Sequence, residues 1–215
     1  MQGRYRAFLF DMDGTIINSI AAAERVWRAW AVRHGLDVAS FVPTIHGARA
    51  VDTIARVALP GLDPETEAMA ITAAEIIDVA GIVEIDGARA FLQALPPAQW
   101  AIVTSAPREL ALARLAAAGM PVPAVLVSAD DVRAGKPEPE GYLLAAEKLK
   151  VDIGQCLVFE DATVGIAAGE AAGAALMVVT ATHVHPVETR HASIAGYAWL
   201  VATAQDGYIS LQQRA

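Results

Sequence analysis

The sequence predicts an α/β protein in which helices cover both faces of an open parallel sheet, with a small helical domain inserted into it. Three observations predict this fold. Short, almost continuously apolar runs recur along the chain, as in strands that are buried on both faces. Helical patterns separate the later runs, which implies right-handed strand–helix–strand units. About ninety residues without a convincing strand separate the first two runs.

The predicted strands are short runs rich in β-branched and aromatic residues. They cover residues 5–10, 100–105, 124–128, 156–160 and 175–180. Helical patterns begin at Pro107, Glu140 and Ala162, between the later runs. This alternation predicts that the strands lie parallel in one sheet.

The long gap after the first strand is predicted to be helical. One amphipathic pattern begins at Ile20 and stops at Gly35, and a second has Asp63 to cap it, Pro64 in its first turn and Gly81 as its stop. The segment is too long for a simple crossover, so we predict an inserted domain. The predicted division is a core domain of residues 1–14 and 86–215 and a helical domain of residues 15–85, called the cap segment below.

Composition limits the possible functions. The chain has 215 residues, 55% of them hydrophobic and 19% charged, so it can bury a large core and is not disordered. The net charge is −8 without a run of Lys or Arg, which argues against a nucleic-acid partner and against an anionic membrane.

Cysteine use and apolar runs indicate the compartment. Cys156 is the one cysteine, so no intrachain disulfide is possible. The apolar stretch at the amino terminus is too short for a signal peptide, and no apolar run reaches the roughly 18 residues of a membrane helix. We therefore expect a cytoplasmic protein, and we expect it to be a monomer or weak homodimer.

Polar residues follow the predicted strands at the edge where open parallel sheets bind ligands. They are Asp11 and Asp13 after the first run, Thr104 and Ser105 after the second, Lys136 in the loop after the third, and Glu160 and Asp161 at the end of the fourth. Each has an ordinary structural explanation as a turn residue, a helix cap or a solvated lysine. Their convergence on one edge predicts a site instead.

Phosphoryl transfer is the chemistry that these groups can perform together. Asp11, Asp13 and Asp161 beside a phosphate would repel each other unless a hard cation neutralised them, and Mg²⁺ prefers oxygen ligands. One carboxylate could then attack phosphorus while Lys136 draws charge from the phosphoryl oxygens. A hydroxyl of Thr104 or Ser105 would hydrogen-bond the transferring group.

Four sequence motifs resemble those of the haloacid dehalogenase-like hydrolase superfamily, which has a Rossmann-like core and often a small α-helical cap. They are DMDGT, VTS, GKPEP and FEDATVGIAAGEAAG, in that order. The resemblance implies that Asp11 is the nucleophile and Asp13 the general acid and base. It also implies that Asp11, the main-chain oxygen of Asp13, and Asp161 hold Mg²⁺, with Glu160 among these ligands or behind them.

The remaining assignments also follow from the resemblance. Thr104 or Ser105, together with Lys136, would bind phosphate. An acid at Asp13 distinguishes phosphatases from the dehalogenase branch, and the absence of any lysine before Lys136 excludes the phosphonatase branch. The phosphoglucomutase branch has a histidine early in the first cap helix, where this chain has alanines at 21–23.

The cap segment resembles that of the sugar-phosphate phosphatases, which include 2-deoxyglucose-6-phosphate and glycerol-phosphate phosphatases. The similar stretches are AERVWRAWAVRHGL and IHGARAVDTI. His46, Gly47 and Arg49 are therefore candidates for contacting substrate. The alternative is that His46 caps a helix and Arg49 is solvated.

The sequence thus predicts a Mg²⁺-dependent phosphatase for small sugar or polyol phosphates that acts through an aspartyl-phosphate. The alternatives on the same scaffold are a phosphoglycolate phosphatase and a phosphosugar mutase. A phospho-receiver signalling domain is disfavoured because receivers keep their acidic pair separate from the phosphorylated aspartate and lack a helical insertion. Asn18, Ala106-Pro107 and Asp86-Gly87 depart from the usual family pattern, and none of them removes a catalytic group.

Overall fold

A computed structural model of the chain describes residues 3–183 and 189–213. Residues 1–2, 184–188 and 214–215, which belong to the predicted core domain, lie outside the described residues. A six-stranded parallel sheet with helices on both faces forms the centre of the fold. This confirms the predicted fold class. Nowhere in the described ranges does a helix combine the length and apolar character needed to cross a membrane.

The elements are numbered in chain order. The strands are β1 Gly3–Tyr5, β2 Ala7–Phe10, β3 Ile17–Asn18, β4 Val83–Glu84, β5 Trp100–Val103, β6 Val125–Val127, β7 Cys156–Glu160, β8 Ala175–Val179, β9 Ala192–Ile194, β10 Leu200–Gln205 and β11 Tyr208–Gln213. The α-helices are α1 Ile20–Arg33, α2 Val38–Phe41, α3 Ala50–Val57, α4 Pro64–Ile77, α5 Ala88–Gln93, α6 Arg108–Ala117, α7 Glu140–Leu149 and α8 Thr163–Ala172. Short 3₁₀ turns cover Val42–Thr44, Pro97–Gln99, Ala129–Asp131 and Ile153–Gln155.

The parallel sheet has the strand order β6-β5-β2-β7-β8-β9. The first predicted strand is central, with Phe8 paired to Trp100 on one side and to Leu157 on the other. All five predicted runs supply strands of this sheet, but the first run is divided. Tyr5 belongs to β1, which pairs with β11 in a different sheet.

Alternation along β2 supplies both faces of the core. Phe8 and Phe10 enter one apolar cluster, together with residues of α5 and α6. Ala7 and Leu9 enter a second cluster on the opposite face, together with residues of α7 and α8. Because both faces are covered, the strand is fully buried and carries no polar side chain until it ends at Phe10.

The cap segment contains α1 to α4 and an apolar cluster of its own, in which Trp27, Trp30 and Phe41 contact one another. Asp63 caps α4 as predicted, since its carboxylate accepts a hydrogen bond from the Thr66 N–H at 3.1 Å. The helix ends at Ile77, before the predicted stop. The two ends of the segment lie side by side, because β3 and β4 form a two-residue antiparallel ladder.

A three-stranded antiparallel sheet of order β1-β11-β10 was not among the predicted elements. Asp206 and Gly207 make its hairpin turn, and both have positive φ, 53° and 74°. Positive φ at both central residues is the geometry of a type I′ turn, for which Asp-Gly is a strong sequence signal. That dipeptide, flanked by polar and apolar residues in alternation, could have predicted the hairpin.

Candidate active site

Asp11 is the first residue after the central strand β2 and is almost completely buried. Lys136 Nζ donates a hydrogen bond to Asp11 Oδ1 at 2.5 Å. The lysine comes from the loop that precedes α7, and it also donates to the Val103 carbonyl at the end of β5, at 3.3 Å. Three segments that are far apart in sequence therefore meet at the carboxyl end of the sheet, as the sequence predicts.

Glu160 holds Lys136 from the other side. Its Oε1 accepts hydrogen bonds from Lys136 Nζ at 2.6 Å and from the Tyr142 hydroxyl at 3.0 Å. Its Oε2 accepts from the N–H groups of Asp161 and Ala162 at 2.8 and 2.9 Å. Since each of the two oxygens already accepts two hydrogen bonds, the geometry favours Glu160 as the residue that orients Lys136 and the β7–α8 loop.

A cation could lie among the carboxylates of Asp11, Glu160 and Asp161. Oxygens of these three buried side chains all lie within 4.8 Å of one another. Thr15 Oγ1 donates to Asp161 Oδ1 at 2.8 Å and fixes that carboxylate. A donor set made only of oxygen suits a hard divalent ion such as Mg²⁺.

Glycine at position 14 is required for this arrangement. A Cβ atom there would lie only 2.1 Å from Asp161 Oδ2, and the residue has a φ of +87°. Because of this close contact and the positive φ, any residue other than glycine would force the backbone or the Asp161 carboxylate to move. Gly14 therefore lets the chain turn away from β2 while the Asp161 carboxylate packs against its backbone.

The pKa values of these groups indicate that the site has more negative charge than its one ammonium can balance. Burial raises the pKa of Asp11 to about 7, although Lys136 opposes this rise. Burial also raises the pKa of Asp161 well above its usual range. Burial would lower the pKa of Lys136, but Asp11 and Glu160 raise it well above its usual value, so the lysine stays protonated. One ammonium does not compensate three carboxylates, and a divalent cation would favour their ionised forms.

Asp13 faces a different set of partners. Its Oδ1 accepts a hydrogen bond from the Ser19 hydroxyl at 2.5 Å and lies 3.0 Å from Arg114 Nη1 on α6. Arg114 Nη2 in turn lies 3.0 Å from Glu75 Oε1 on α4. Neither Arg114 nor Glu75 is among the predicted site residues.

A signal for both residues is present in the sequence. Arg114 is one of the residues that α6 buries, with Leu110 and Leu115, and Glu75 follows Ile71 by one turn on the buried face of α4. A charged residue on the apolar stripe of an amphipathic helix is rarely buried without a partner. That pattern could have identified them.

Thr104 and Ser105 do not cap α6, whose N-cap residue is Pro107 and whose Arg108 N–H donates to Asp130 Oδ2 at 2.8 Å. Thr104 Oγ1 accepts from the Ala106 N–H at 3.1 Å, and the Ser105 hydroxyl donates to the Gly47 carbonyl of the cap segment at 2.8 Å. Asp161 is not a helix cap either, since the cap position of α8 is Ala162. The ordinary explanations for these residues do not account for their positions.

Of the three predicted cap residues, His46 and Gly47 lie at the cavity, whereas Arg49 contacts the loop that carries Lys136. His46 and Gly47 line the cavity above Asp11, and His46 Nε2 lies 3.5 Å from Glu24 Oε1. Arg49 binds Asp52 through Nε at 2.7 Å and donates from Nη1 to the Arg133 carbonyl at 3.0 Å. Arg49 lies beside Gly135 and connects the cap segment to the loop that carries Lys136.

A cavity of about 90 Å³ lies between the cap segment and the carboxyl end of the sheet. Asp11, Asp13, Thr104, Ser105 and Asp161 line its floor, with Arg114 on one side. The cap segment supplies the facing wall, which includes Trp27, Ile45, His46, Thr72 and Glu75. The wall combines apolar groups with a few hydrogen-bonding side chains, as is typical of small-molecule sites.

Comparison with known proteins identifies the family. The family model described as haloacid dehalogenase-like hydrolase matches residues 5–173, most of the chain. This chain belongs to that family. It is therefore an enzyme of the hydrolase class, which removes the receiver-domain alternative.

Several curated relatives are phosphatases. Hexitol phosphatase A of Escherichia coli is 42% identical over 183 residues, which are 83% of this chain and 84% of the relative. Validoxylamine A 7'-phosphate phosphatase of Streptomyces hygroscopicus is 36% identical, with 83% and 87% covered. The yeast 2-deoxyglucose-6-phosphate phosphatase 1 is 34% identical, with 81% and 80% covered. The resemblance to the sugar-phosphate phosphatase branch is thereby confirmed.

Solved structures share the fold. CbbY from Rhodobacter sphaeroides, solved in complex with phosphate, superposes with a TM-score of 0.76 at 22% identity and covers 90% of this chain and 95% of its own. β-Phosphoglucomutase from Clostridium difficile superposes with a TM-score of 0.72 at 21% identity, with 81% and 84% covered. At these identities the likeness concerns the fold.

Proposed function

We propose that this protein is a Mg²⁺-dependent phosphatase that hydrolyses small sugar or polyol phosphate monoesters through an aspartyl-phosphate on Asp11. The observation that carries the proposal is the position of Asp11. Its carboxylate lies at the end of the central strand, bonded to Lys136, within 4.8 Å of the Asp161 carboxylate and on the floor of a cavity. A nucleophile, a cation for the phosphate and a potential metal site therefore coincide.

The proposed reaction has two steps. In the first, an Asp11 oxygen forms a bond to phosphorus, the bond between phosphorus and the sugar oxygen breaks, and Asp13 gives its proton to the leaving oxygen. In the second, Asp13 takes a proton from water, the water oxygen attacks phosphorus, and the bond to Asp11 breaks. Orthophosphate and the free Asp11 carboxylate result.

The other residues of the site bind and orient. Lys136 would hydrogen-bond a phosphoryl oxygen, and Glu160 would keep it in place. Thr104 or Ser105 would contact the phosphoryl group from the end of β5. Asp11 and Asp161 would hold Mg²⁺, with the main-chain oxygen of Asp13. Bound there, the ion would neutralise the carboxylates and the phosphoryl oxygens.

The names of the relatives support the substrate class, because hexitol, 2-deoxyglucose-6-phosphate and glycerol-1-phosphate phosphatases are all among them.

The proposal includes the division into a core domain and the cap segment, residues 15–85, with closure of the cap to exclude water. It also includes a monomer or weak homodimer. A reducing, cytoplasmic location agrees with the single cysteine, which is buried and free.

Asp11→Asn tests the nucleophile. This substitution preserves shape and removes the charged oxygen, so we expect Mg²⁺-dependent release of phosphate from glycerol 1-phosphate or glucose 6-phosphate to fall by at least about 1000-fold. Phosphate release and circular dichroism should be measured on the same preparations. Asp206→Asn is the matched control, because Asp206 is exposed in the β10–β11 turn and asparagine tolerates its positive φ.

Two results would contradict the assignment. Substantial turnover by the Asp11→Asn protein would mean that another group attacks phosphorus. Loss of activity in both Asp11→Asn and Asp206→Asn would show that the assay reports folding instead of chemistry. A phosphorylated protein, trapped by acid quench from the wild type and absent from the Asp11→Asn variant, would support the covalent step directly.

A further inference from the structure

Arg114 joins two carboxylates that come from different parts of the chain. Its guanidinium lies on α6 of the core and is almost completely buried. Nη1 lies 3.0 Å from Asp13 Oδ1, and Nη2 lies 3.0 Å from Glu75 Oε1 on α4 of the cap segment. Glu75 is equally buried, with only 6% of its surface exposed. A single buried cation therefore connects the proposed general acid to the wall of the cap.

This connection lies where the leaving group must be. Under the proposed function Asp13 protonates the oxygen of the sugar or polyol, so the rest of that molecule extends from Asp13 into the cavity. Glu75 and Arg114 line the same cavity as Asp11 and Asp13. Thr72 lines it too, one turn before Glu75 on the same face of α4. The wall nearest to Asp13 is thus polar, with a carboxylate at its centre.

The hydrogen-bonding capacity of this wall is not exhausted by the protein. Arg114 faces one oxygen of Glu75 and Trp27 also hydrogen-bonds this carboxyl, and its two oxygens offer further lone pairs. Arg114 Nε is buried and has no hydrogen-bond partner within residues 3–183 and 189–213. Burial raises the pKa of Glu75 to about 7 against the lowering effect of Arg114, which indicates that its present partners do not fully replace water. A hydroxyl group of the substrate, which can donate to the Glu75 carboxylate, complements this wall.

The charges of this wall also distinguish between substrates. When ionised, Glu75 places a negative charge on the cap wall of the cavity, on the side into which the leaving group extends from Asp13. A neutral polyol can approach it. A leaving group with its own carboxylate would be repelled, and the repulsion is strong because the local dielectric constant is low.

We propose that Glu75, held in place by Arg114, determines substrate specificity by accepting a hydrogen bond from a hydroxyl of the leaving group and by disfavouring leaving groups that carry a carboxylate. This inference rests on the proposed function and deepens it. It assigns to a cap residue the choice between a polyol phosphate and phosphoglycolate, which the catalytic groups alone do not make.

Three substrates separate the two effects. Glycerol 1-phosphate carries hydroxyls, propyl phosphate has the same carbon chain without them, and phosphoglycolate carries a carboxylate. For Glu75→Gln we expect the ratio of kcat/KM for glycerol 1-phosphate to that for propyl phosphate to fall about tenfold, the effect of losing one charge-assisted hydrogen bond. The ratio of kcat/KM for phosphoglycolate to that for propyl phosphate should rise.

Two further variants make the test specific. Glu75→Asp keeps the charge and withdraws it by one methylene, so it should lower the glycerol ratio but continue to reject phosphoglycolate. If Glu75→Gln does not fold, Glu75→Asp still tests whether the position of the carboxylate determines the glycerol ratio. Glu65→Gln is the matched control, because Glu65 is exposed on the same helix, and it should leave both ratios unchanged.

The outcomes distinguish this inference from the proposed function. Unchanged ratios in Glu75→Gln, or an equal fall in kcat/KM for all three substrates, would overturn the role of Glu75 and leave the phosphatase intact. A wild-type enzyme that prefers phosphoglycolate by orders of magnitude would overturn the proposed substrate class itself. A tenfold change in the glycerol ratio with retained folding would support both.

Discussion

Lys136 is fixed by acceptors from three segments, namely Asp11, Glu160 and the Val103 carbonyl. The sequence identifies the lysine by its place in the GKPEP loop, and the edge of the sheet where it lies follows from the strand pattern. Its partners do not follow from pattern alone, because a side chain's reach depends on loop geometry. The resemblance left open whether Glu160 is a metal ligand or lies behind the ligands, and the structure shows its two oxygens bonded to Lys136, to Tyr142 and to main-chain N–H groups.

Glu75 makes the stability of the protein depend on pH. Burial raises its pKa from 4.5 to about 7, against the effect of Arg114, so the folded protein binds this proton more tightly than the unfolded chain. The resulting stabilisation is complete below about pH 4.5 and is lost as the pH rises through about 7. Glu75→Gln removes the titration. Between pH 5 and 8 the free energy of unfolding of the wild type should fall relative to that of the variant by about 2 kcal/mol.

Urea unfolding at four pH values between 5 and 8 measures this difference. Because the comparison is between two pH values, the constant cost of replacing the Arg114 ion pair cancels. Glu65→Gln, on the exposed face of α4, should give a curve parallel to that of the wild type. Parallel curves for Glu75→Gln and the wild type would show that the carboxyl of Glu75 has no raised pKa.

Among the elements, α8 shows why a particular residue type is needed next to the site. A Cβ atom on Gly165 would lie 1.6 Å from Glu160 Oε1, and Glu160 cannot move without losing Lys136, Tyr142 or its main-chain donors. The sequence predicts α8 from its alanine-rich pattern, and the structure begins the helix at Thr163. The close approach of the glycine to the carboxylate is a packing property that helical periodicity does not contain.

Gly165→Ala should therefore reduce activity more than stability alone explains. The added methyl group displaces the Glu160 carboxylate, at a cost of about 1–3 kcal/mol for overpacking, and the displacement disturbs Lys136. Gly169→Ala, four residues later on the same helix, is the matched control. A Cβ atom there would contact the Leu176 side chain at 2.9 Å, away from the carboxylates. We expect both variants to unfold at a lower temperature and only Gly165→Ala to lose most of its kcat. Equal kcat values in the two folded variants would contradict this role for Gly165.

On the scale of the whole molecule, the parallel sheet was predictable because its strands are buried on both faces and so appear as continuous apolar runs. The antiparallel sheet of β1, β10 and β11 was not predicted, since these strands are partly exposed and their pattern is weaker. The bridge from Glu75 through Arg114 to Asp13 was also missed. It depends on how α4 of the cap segment meets α6 of the core, which no local pattern specifies.

Metal binding should stabilise the whole fold, since Asp11 and Asp161 come from segments that are about 150 residues apart and meet only in the folded chain. An ion that binds the folded protein at 100 times its Kd adds about 2.7 kcal/mol. For a chain of this size, such a gain raises Tm by roughly 5–10 °C. We expect this rise when Mg²⁺ is added to protein treated with EDTA, and a matched ionic strength of NaCl should not reproduce it.

Asp161→Asn should abolish the Mg²⁺ effect and Asp206→Asn should retain it. An equal rise in Tm for wild type and Asp161→Asn would show that the ion binds elsewhere.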